Sequence, residues 1–415
     1  MKIKSKGNAI MIVALCSIVY FISYFARKDF AAVMAVMLKE GILDKQLSGF
    51  IGMGLFICYG VGQLVSGYLG DKIKPTILLL SGLFTTALCN LLMPLAPSTA
   101  LMIPIWALNG FAQAMLWPPI VRILADNLSG EKFLAANIVV TSAAHVSTII
   151  LYIFVPICVR YYDWKAVFFT ASVITAVVLA IFAASMLFIT LDPRRDEKSE
   201  PPTLAVEKER DFVSLFLKSG IIPIFFSIIM MGFLRDGIES WLPTLYGEAF
   251  GTSAEEAILV SAIIPVISIV SSTSIMAIHK KRFFNNEARG AFVLFLCAAA
   301  LCVPVSVLIN FEQSALKLVC LILAALVCGF MHAINFLFIS CLPGRFARFG
   351  RAATASGFSN ACTYVGAAIS MYGIGAIADS IGWSASAFSW IVIAVLGALF
   401  SLLAYKRDSA FINIK

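Results

Sequence analysis

Apolar residues in this chain neither alternate with polar ones nor recur once per helical turn. They run on in long blocks. Six blocks fall at 8–37, 46–69, 75–94, 99–124, 132–160 and 164–191, and six more at 217–246, 254–278, 288–309, 314–343, 352–378 and 383–405, each bounded by charges or by Gly and Pro. A helix needs about 20 apolar residues to cross the hydrocarbon of a bilayer, so every block is long enough to span it. The pattern predicts an all-α membrane protein with 12 transmembrane helices, six followed by six. Between the sixes, Asp192 to Asp211 holds five Lys/Arg, seven Asp/Glu, Pro193, Pro201 and Pro202. Such a segment cannot stay in hydrocarbon and has little reason to fold alone. The expected division is therefore a bundle at 1–191, a cytoplasmic linker at 192–216 and a second bundle at 217–415.

Composition narrows the picture further. With 415 residues, 60% apolar and 13% charged, and a mean hydropathy of +0.94, a soluble multidomain enzyme is excluded and no sizeable extramembrane domain fits. The net charge of +8 belongs to topology, not to nucleic acid. Of 31 Lys/Arg, five lie in or at the edges of alternate loops (Lys39, Lys45, Arg160, Lys165, Lys317), three lie away from block ends on neither side's count (Arg27, Lys28, Arg235), and the other 23 lie in or at the edges of the segments on the opposite side. That bias puts both termini in the cytoplasm of a multi-pass protein of the cell membrane. Lys2, Lys4 and Lys6 precede the first block like a secretory leader, but no small-residue cleavage pattern follows, so the block reads as an uncleaved span. The ten cysteines all lie in apolar stretches without metal-ligand spacing and read as small buried hydrophobes. No metal, no cofactor and no catalytic constellation is expected.

The charges inside spans need a reason, because each costs roughly 2.5–3.5 kcal/mol at a helix centre. Arg27 and Arg235 each lie toward the end of the first helix of a half, 208 positions apart. In a two-fold pseudosymmetric bundle, such positions face one another across a central cavity. The simpler readings are a local pair of Arg235 with Asp236 or Glu239, and an Arg27 that reaches lipid headgroups. Polar residues in helical register favour the cavity: Tyr20, Ser23, Tyr24 and Arg27; Asn109, Gln113 and Trp117; Asn137, Thr141, His145 and Thr148; His332 and Asn335; Asn360, Thr363 and Tyr364. Guanidinium groups are always ionised and their planar fork matches phosphate or carboxylate oxygens, so two of them suit a phosphoryl dianion. His145 adds charge near its ordinary pKa of about 6.5.

Several motifs resemble those of one known group. Gly67-Tyr-Leu-Gly-Asp71-Lys72 is similar to the loop after span 2 in the major facilitator superfamily. Tyr24-Phe-Ala-Arg27-Lys28-Asp29-Phe30, Gln113-Ala-Met-Leu-Trp117-Pro118-Pro119, Ala144-His145, Arg235-x-Gly237-Ile238-x-x-Trp241-x-Pro243, and Gly357-Phe358 with Tyr364 resemble the organophosphate:inorganic phosphate antiporters of that superfamily, across nearly the whole chain. The resemblance implies the major facilitator fold and transport of an organic phosphate ester by alternating access, in exchange for inorganic phosphate. It places the phosphoryl group between Arg27 and Arg235 with His145 assisting, and Tyr20, Tyr24 and Tyr364 lining the cavity. Gln113, Trp117 and His332 complete the expected substrate-binding set. The chain departs from the group at Asp29 (Asn), Gln63 (Lys), Val260 (an acid), Gly232 (Tyr) and His332 (Tyr), so the surfaces that read the organic part differ. The expected partners are a small anionic substrate and the bilayer, with no nucleic acid and a monomeric state. Two alternatives stand beside this reading. One is a proton-coupled symporter of a sugar acid or other carboxylate, using Asp236 or Glu239. The other is a phosphoester-sensing receptor that does not transport.

Overall fold

The computed structural model describes residues 6–70, 72–128, 131–188, 221–279, 286–311, 313–343 and 352–412. The linker expected at 192–216 and Asp71 of the span 2 loop lie outside the described residues. Described elements are helical: α1 (Lys6–Lys39), α2 (Lys45–Gly70), α3 (Pro75–Leu92), α4 (Thr99–Gln113), α5 (Trp117–Asn127), α6 (Glu131–Tyr161) and α7 (Trp164–Phe188) come first. They are followed by α8 (Ile221–Phe250), α9 (Ala254–Val260), α10 (Ile263–Ile278), α11 (Glu287–Leu308), α12 (Ser314–Asn335), α13 (Ala352–Ser380) and α14 (Trp383–Ile412). They make 12 spans long and apolar enough to cross a membrane, because α4 with α5, and α9 with α10, are single spans with a break inside.

Each break has a local cause. Pro118 and Pro119 have no N–H to offer the preceding turn, so the helix ends at Gln113, passes through Ala114–Leu116 and restarts at Trp117 with Pro in its first turn. Pro265 stands in the same relation to the Ser261–Ala262 break. Span 10 is interrupted differently: α12 widens into a π-helical segment at Phe336–Cys341.

The chain divides into two compact units, Met1–Leu43 with Gly54–Thr203, and Asp44–Met53 with Leu204–Lys415. Within the first, α1 packs on α6 and α7, and α3 on α7 and α4. The second repeats this scheme: α8 packs on α13 and α14, and α11 on α14 and α12. Span 1 against spans 5 and 6 thus matches span 7 against spans 11 and 12, which is the internal repeat expected of two pseudosymmetric six-helix bundles. A boundary at the linker would put all of span 2 in the first bundle. Instead the opening of α2 packs within the second unit, where a Cβ on Gly49 would stand 2.8 Å from the Met371 carbonyl oxygen. Lys45 bonds Glu248 there at 2.9 Å, and Gln46 bonds the Tyr372 hydroxyl at 3.2 Å.

Candidate anion-binding residues

In the first unit, Arg27 is buried at 8% exposure. Its guanidinium carbon lies 4.2 Å from the centre of the Tyr24 ring and 5.0 Å from that of Tyr59. Such contacts contribute about 0.5–2 kcal/mol each. Tyr24 meets Tyr20 edge-on at 5.1 Å, and Tyr20 lies 4.7 Å from Trp117. Arg27, Tyr24, Tyr20 and Trp117, expected from the sequence, therefore form one connected run, carried by α1 and by the restarted helix α5.

The backbone beside Arg27 is clamped. The Ala26 carbonyl accepts hydrogen bonds from the side-chain amides of Asn90 on α3 and Asn109 on α4, both at 3.0 Å. In a regular α-helix that carbonyl belongs to the N–H of Phe30. Here the Phe30 N–H donates to Asp29 Oδ1 at 2.8 Å. Three side chains thus engage the backbone groups of Ala26 and Phe30, near Arg27 on α1. Asp29, Asn90 and Asn109 are wholly buried. Gln113, one turn beyond Asn109, is 1% exposed and neither atom of its amide has a hydrogen-bond partner, an arrangement that costs roughly 1–3 kcal/mol. Its orphaned donor and acceptor make it the first unit's clearest unmet capacity for a polar ligand.

The α6 stripe is less open. Asn137, Thr141 and Thr148 bond back to the carbonyls of Phe133, Asn137 and Ala144 on their own helix, so their polarity is mostly spent locally. His145 is half-buried on the same helix.

In the second unit, Arg235 is held by hydrogen bonds to acceptors. Its Nη2 and Nε donate to Asp236 Oδ2 at 2.6 and 3.2 Å, and its Nη1 donates to Asn335 Oδ1 at 2.7 Å. Glu239, the other acid considered as a local partner, is buried one turn on. The rest of the span 7 motif is scaffolding. A Cβ at Gly237 would meet Ser370 at 2.7 Å, and the buried Trp241 indole donates to the Met371 carbonyl at 3.1 Å, so α8 lies tight against α13. Gly232, where the organophosphate group has Tyr, touches the Thr363 carbonyl so closely that no side chain fits. That departure follows from helix packing. His332, Asn335 and Tyr364 are half-buried, with Asn335 as the last residue of α12 before the π segment.

Tyr59 and Asn90 escaped the sequence reading. Each had a polar neighbour in register, Gln63 and Ser66 after Tyr59 and Thr86 before Asn90, a signal that could have found them. Among the described residues, no group of three or more His, Cys, Asp or Glu is arranged to hold a metal.

The helix count and the repeat have a counterpart among known proteins: the model of the Major Facilitator Superfamily matches residues 16–371. The chain belongs to this superfamily of membrane transporters. It is thus a multi-pass transport protein and not an enzyme. The glycerol-3-phosphate transporter of Bacillus subtilis (strain 168) is 25% identical over 410 residues, covering 92% of this chain and 89% of that one. A probable hexose phosphate transport protein of Chlamydia muridarum is 28% identical over 189 residues, 46% of this chain and 40% of that protein. The hexose phosphate relatives are matched over less than half their length. The Membrane sensor protein UhpC of Escherichia coli (strain K12) is 28% identical over 163 residues, 39% of this chain and 37% of that protein. The organophosphate resemblance carried by the motifs is therefore matched by relatives bearing these names. In fold, the chain is similar to a bacterial homolog of the human lysosomal transporter Spinster, with a TM-score of 0.77 at 14% identity over 98% of this chain and 99% of that one.

Proposed function

We propose that this major facilitator protein moves an organic phosphate ester across the cell membrane by alternating access, in exchange for inorganic phosphate. Arg27 and Arg235 hold the phosphoryl group, one from each unit, with His145 assisting. Tyr20, Tyr24, Gln113, Trp117, His332 and Tyr364 complete the substrate surface, and both termini lie in the cytoplasm. The observation that carries the reading is the setting of Arg27, a permanently ionised fork buried in a transporter bundle and seated on two tyrosine faces. Exchange follows from charge. A guanidinium desolvated without an anion costs about 3–5 kcal/mol, which slows return of the empty carrier by roughly a hundredfold to several thousandfold.

The test is counterflow: phosphate loaded inside proteoliposomes accelerates uptake of an external phosphoester from a panel that also contains phosphonates and carboxylates. Preference for carboxylates, with proton movement lost in Glu239→Gln, would establish the symporter instead. The similarity to a protein named as a membrane sensor supports a second reading, a receptor that binds a phosphoester without moving it. Binding by the purified protein with no flux in vesicles would select it.

A further inference from the structure

Arg235 carries its own anion. One oxygen of Asp236 accepts from both Nε and Nη2, and this pair of donors is the edge of the fork that grips a phosphate or carboxylate. The Nη1 end is held by Asn335. Both charged side chains are nearly enclosed, at 11% and 7% exposure, so the pair is poorly screened and neither member is a surface ion pair of small consequence. Asp236 follows Arg235 directly on α8, so both groups are carried by the same helix.

We propose that Asp236 is an internal counter-anion that competes with the transported anion for Arg235, and that this competition gives the protein a second activity, net transport by return of the empty carrier. The inference rests on the reading of Arg235 as an anion-binding residue. Two consequences follow from one contact. With no substrate, Asp236 neutralises Arg235, so the barrier that an uncompensated guanidinium would raise against return is relieved on this side. With substrate, the carboxylate must be displaced, so the apparent affinity falls by the fraction of time the fork is free. A fork occupied nine-tenths of the time weakens binding about tenfold. Asp236 thus trades affinity for freedom from strict exchange. Glu239, one turn further along α8 and also buried, adds negative charge to the same face and opposes the transported anion in the same direction.

The test uses the full chain in proteoliposomes with the membrane potential clamped and radiolabelled inorganic phosphate as the probe. Two initial rates are compared, exchange into phosphate-loaded vesicles and net uptake into phosphate-free ones. The wild type is expected to show both. In Asp236→Asn, the KM of exchange is expected to fall roughly tenfold. The ratio of net uptake to exchange is expected to fall by at least about tenfold, as empty return meets the unrelieved barrier. Asp236→Glu retains the carboxylate and is expected to keep net uptake. An unchanged ratio and KM in Asp236→Asn would overturn the proposal while leaving phosphate exchange intact as a function. Strictly coupled exchange in the wild type overturns it too, and does so even if Asp236→Asn fails to insert. Absence of phosphate movement in either assay overturns the phosphate reading itself, and this inference with it.

Discussion

The two arginines occupy related places in the repeat, late in the first helix of each half, yet they are held by opposite physical means. Arg27 rests on the faces of Tyr24 and Tyr59, and its helix is pinned by amides reaching in from α3 and α4. Arg235 is fixed edge-on by a neighbouring carboxylate and an amide oxygen from α12. An aromatic face stabilises the charge without claiming its donors, whereas a carboxylate takes the donors and cancels the charge. The difference teaches that pseudosymmetry of position is not symmetry of role. The first unit sets its arginine over aromatic rings, and the second sets its arginine against a carboxylate.

The strongest way to break this comparison is to keep the charge and remove the fork. Arg27→Lys is expected to lower transport at least roughly a hundredfold, because an ammonium loses both the planar stacking and the paired donors. Arg235→Lys is expected to lose a similar factor in the first assay, counterflow of a phosphoester into phosphate-loaded vesicles. Full activity of either variant removes that residue from the anion site.

The twelve spans were readable because hydrocarbon imposes one rule on every segment, a length of about 20 apolar residues, and nothing in the tertiary structure overrides it. Arg27 and Arg235 were readable for the same reason, since an ionised group in a span stands out. What escaped depends on geometry that composition does not carry. Asn109, Gln113 and Trp117 look like one face of a regular helix, but Pro118 and Pro119 end α4 before Trp117, which then meets Tyr20 from a restarted helix. Asp236 and Glu239 were equal candidates to pair with Arg235, and the contact with Asp236 depends on side-chain rotamers that spacing does not carry. Tyr59 shares a helical face with Gln63 and Ser66, but the register does not say what that face meets, so its contact with Arg27 is visible only in three dimensions.

A second test asks whether the two units depend equally on close helix approach. Gly110 of α4 touches the Leu55 carbonyl of α2 in the first unit, and Gly366 of α13 touches the Ile229 carbonyl of α8 in the second, each too closely to admit a Cβ. Small residues let backbones approach in this way where no hydrophobic force drives helices together. Gly110→Ala and Gly366→Ala are each expected to cost about 1–3 kcal/mol through overpacking. Detergent-solubilised protein would show this as a lower unfolding temperature by fluorescence-detected size exclusion. Equal losses support a shared packing scheme, and a loss confined to one variant shows that the repeat is only topological.

A subtler intervention unpins Arg27 without touching it. Asn90→Leu removes one of the two amide donors to the Ala26 carbonyl and leaves an apolar group in a wholly buried place. The lost hydrogen bond is worth about 0.5–1.5 kcal/mol, so the KM for the transported anion is expected to rise roughly two- to tenfold. Asn109→Leu should match it, since both amides serve the same oxygen. The corresponding change at the second arginine, Asn335→Leu, removes a contact to the side chain itself and is expected to raise KM more than either.

The smallest effect separates the ring face from the hydroxyl at Tyr59. If Arg27 is held by the quadrupole of the ring, Tyr59→Phe keeps the contact and leaves KM within about twofold, while Tyr59→Leu loses roughly 0.5–1 kcal/mol, a two- to fivefold rise. A hydroxyl that bonded the substrate or the guanidinium would produce the opposite ranking, with Phe as damaging as Leu. Because Tyr24 supplies a second and closer face, at 4.2 Å against 5.0 Å, the Tyr24→Leu loss should exceed that of Tyr59→Leu. At Arg235 the contacts to Asp236 and Asn335 are hydrogen bonds to acceptor oxygens, and that asymmetry is what the aromatic substitutions isolate.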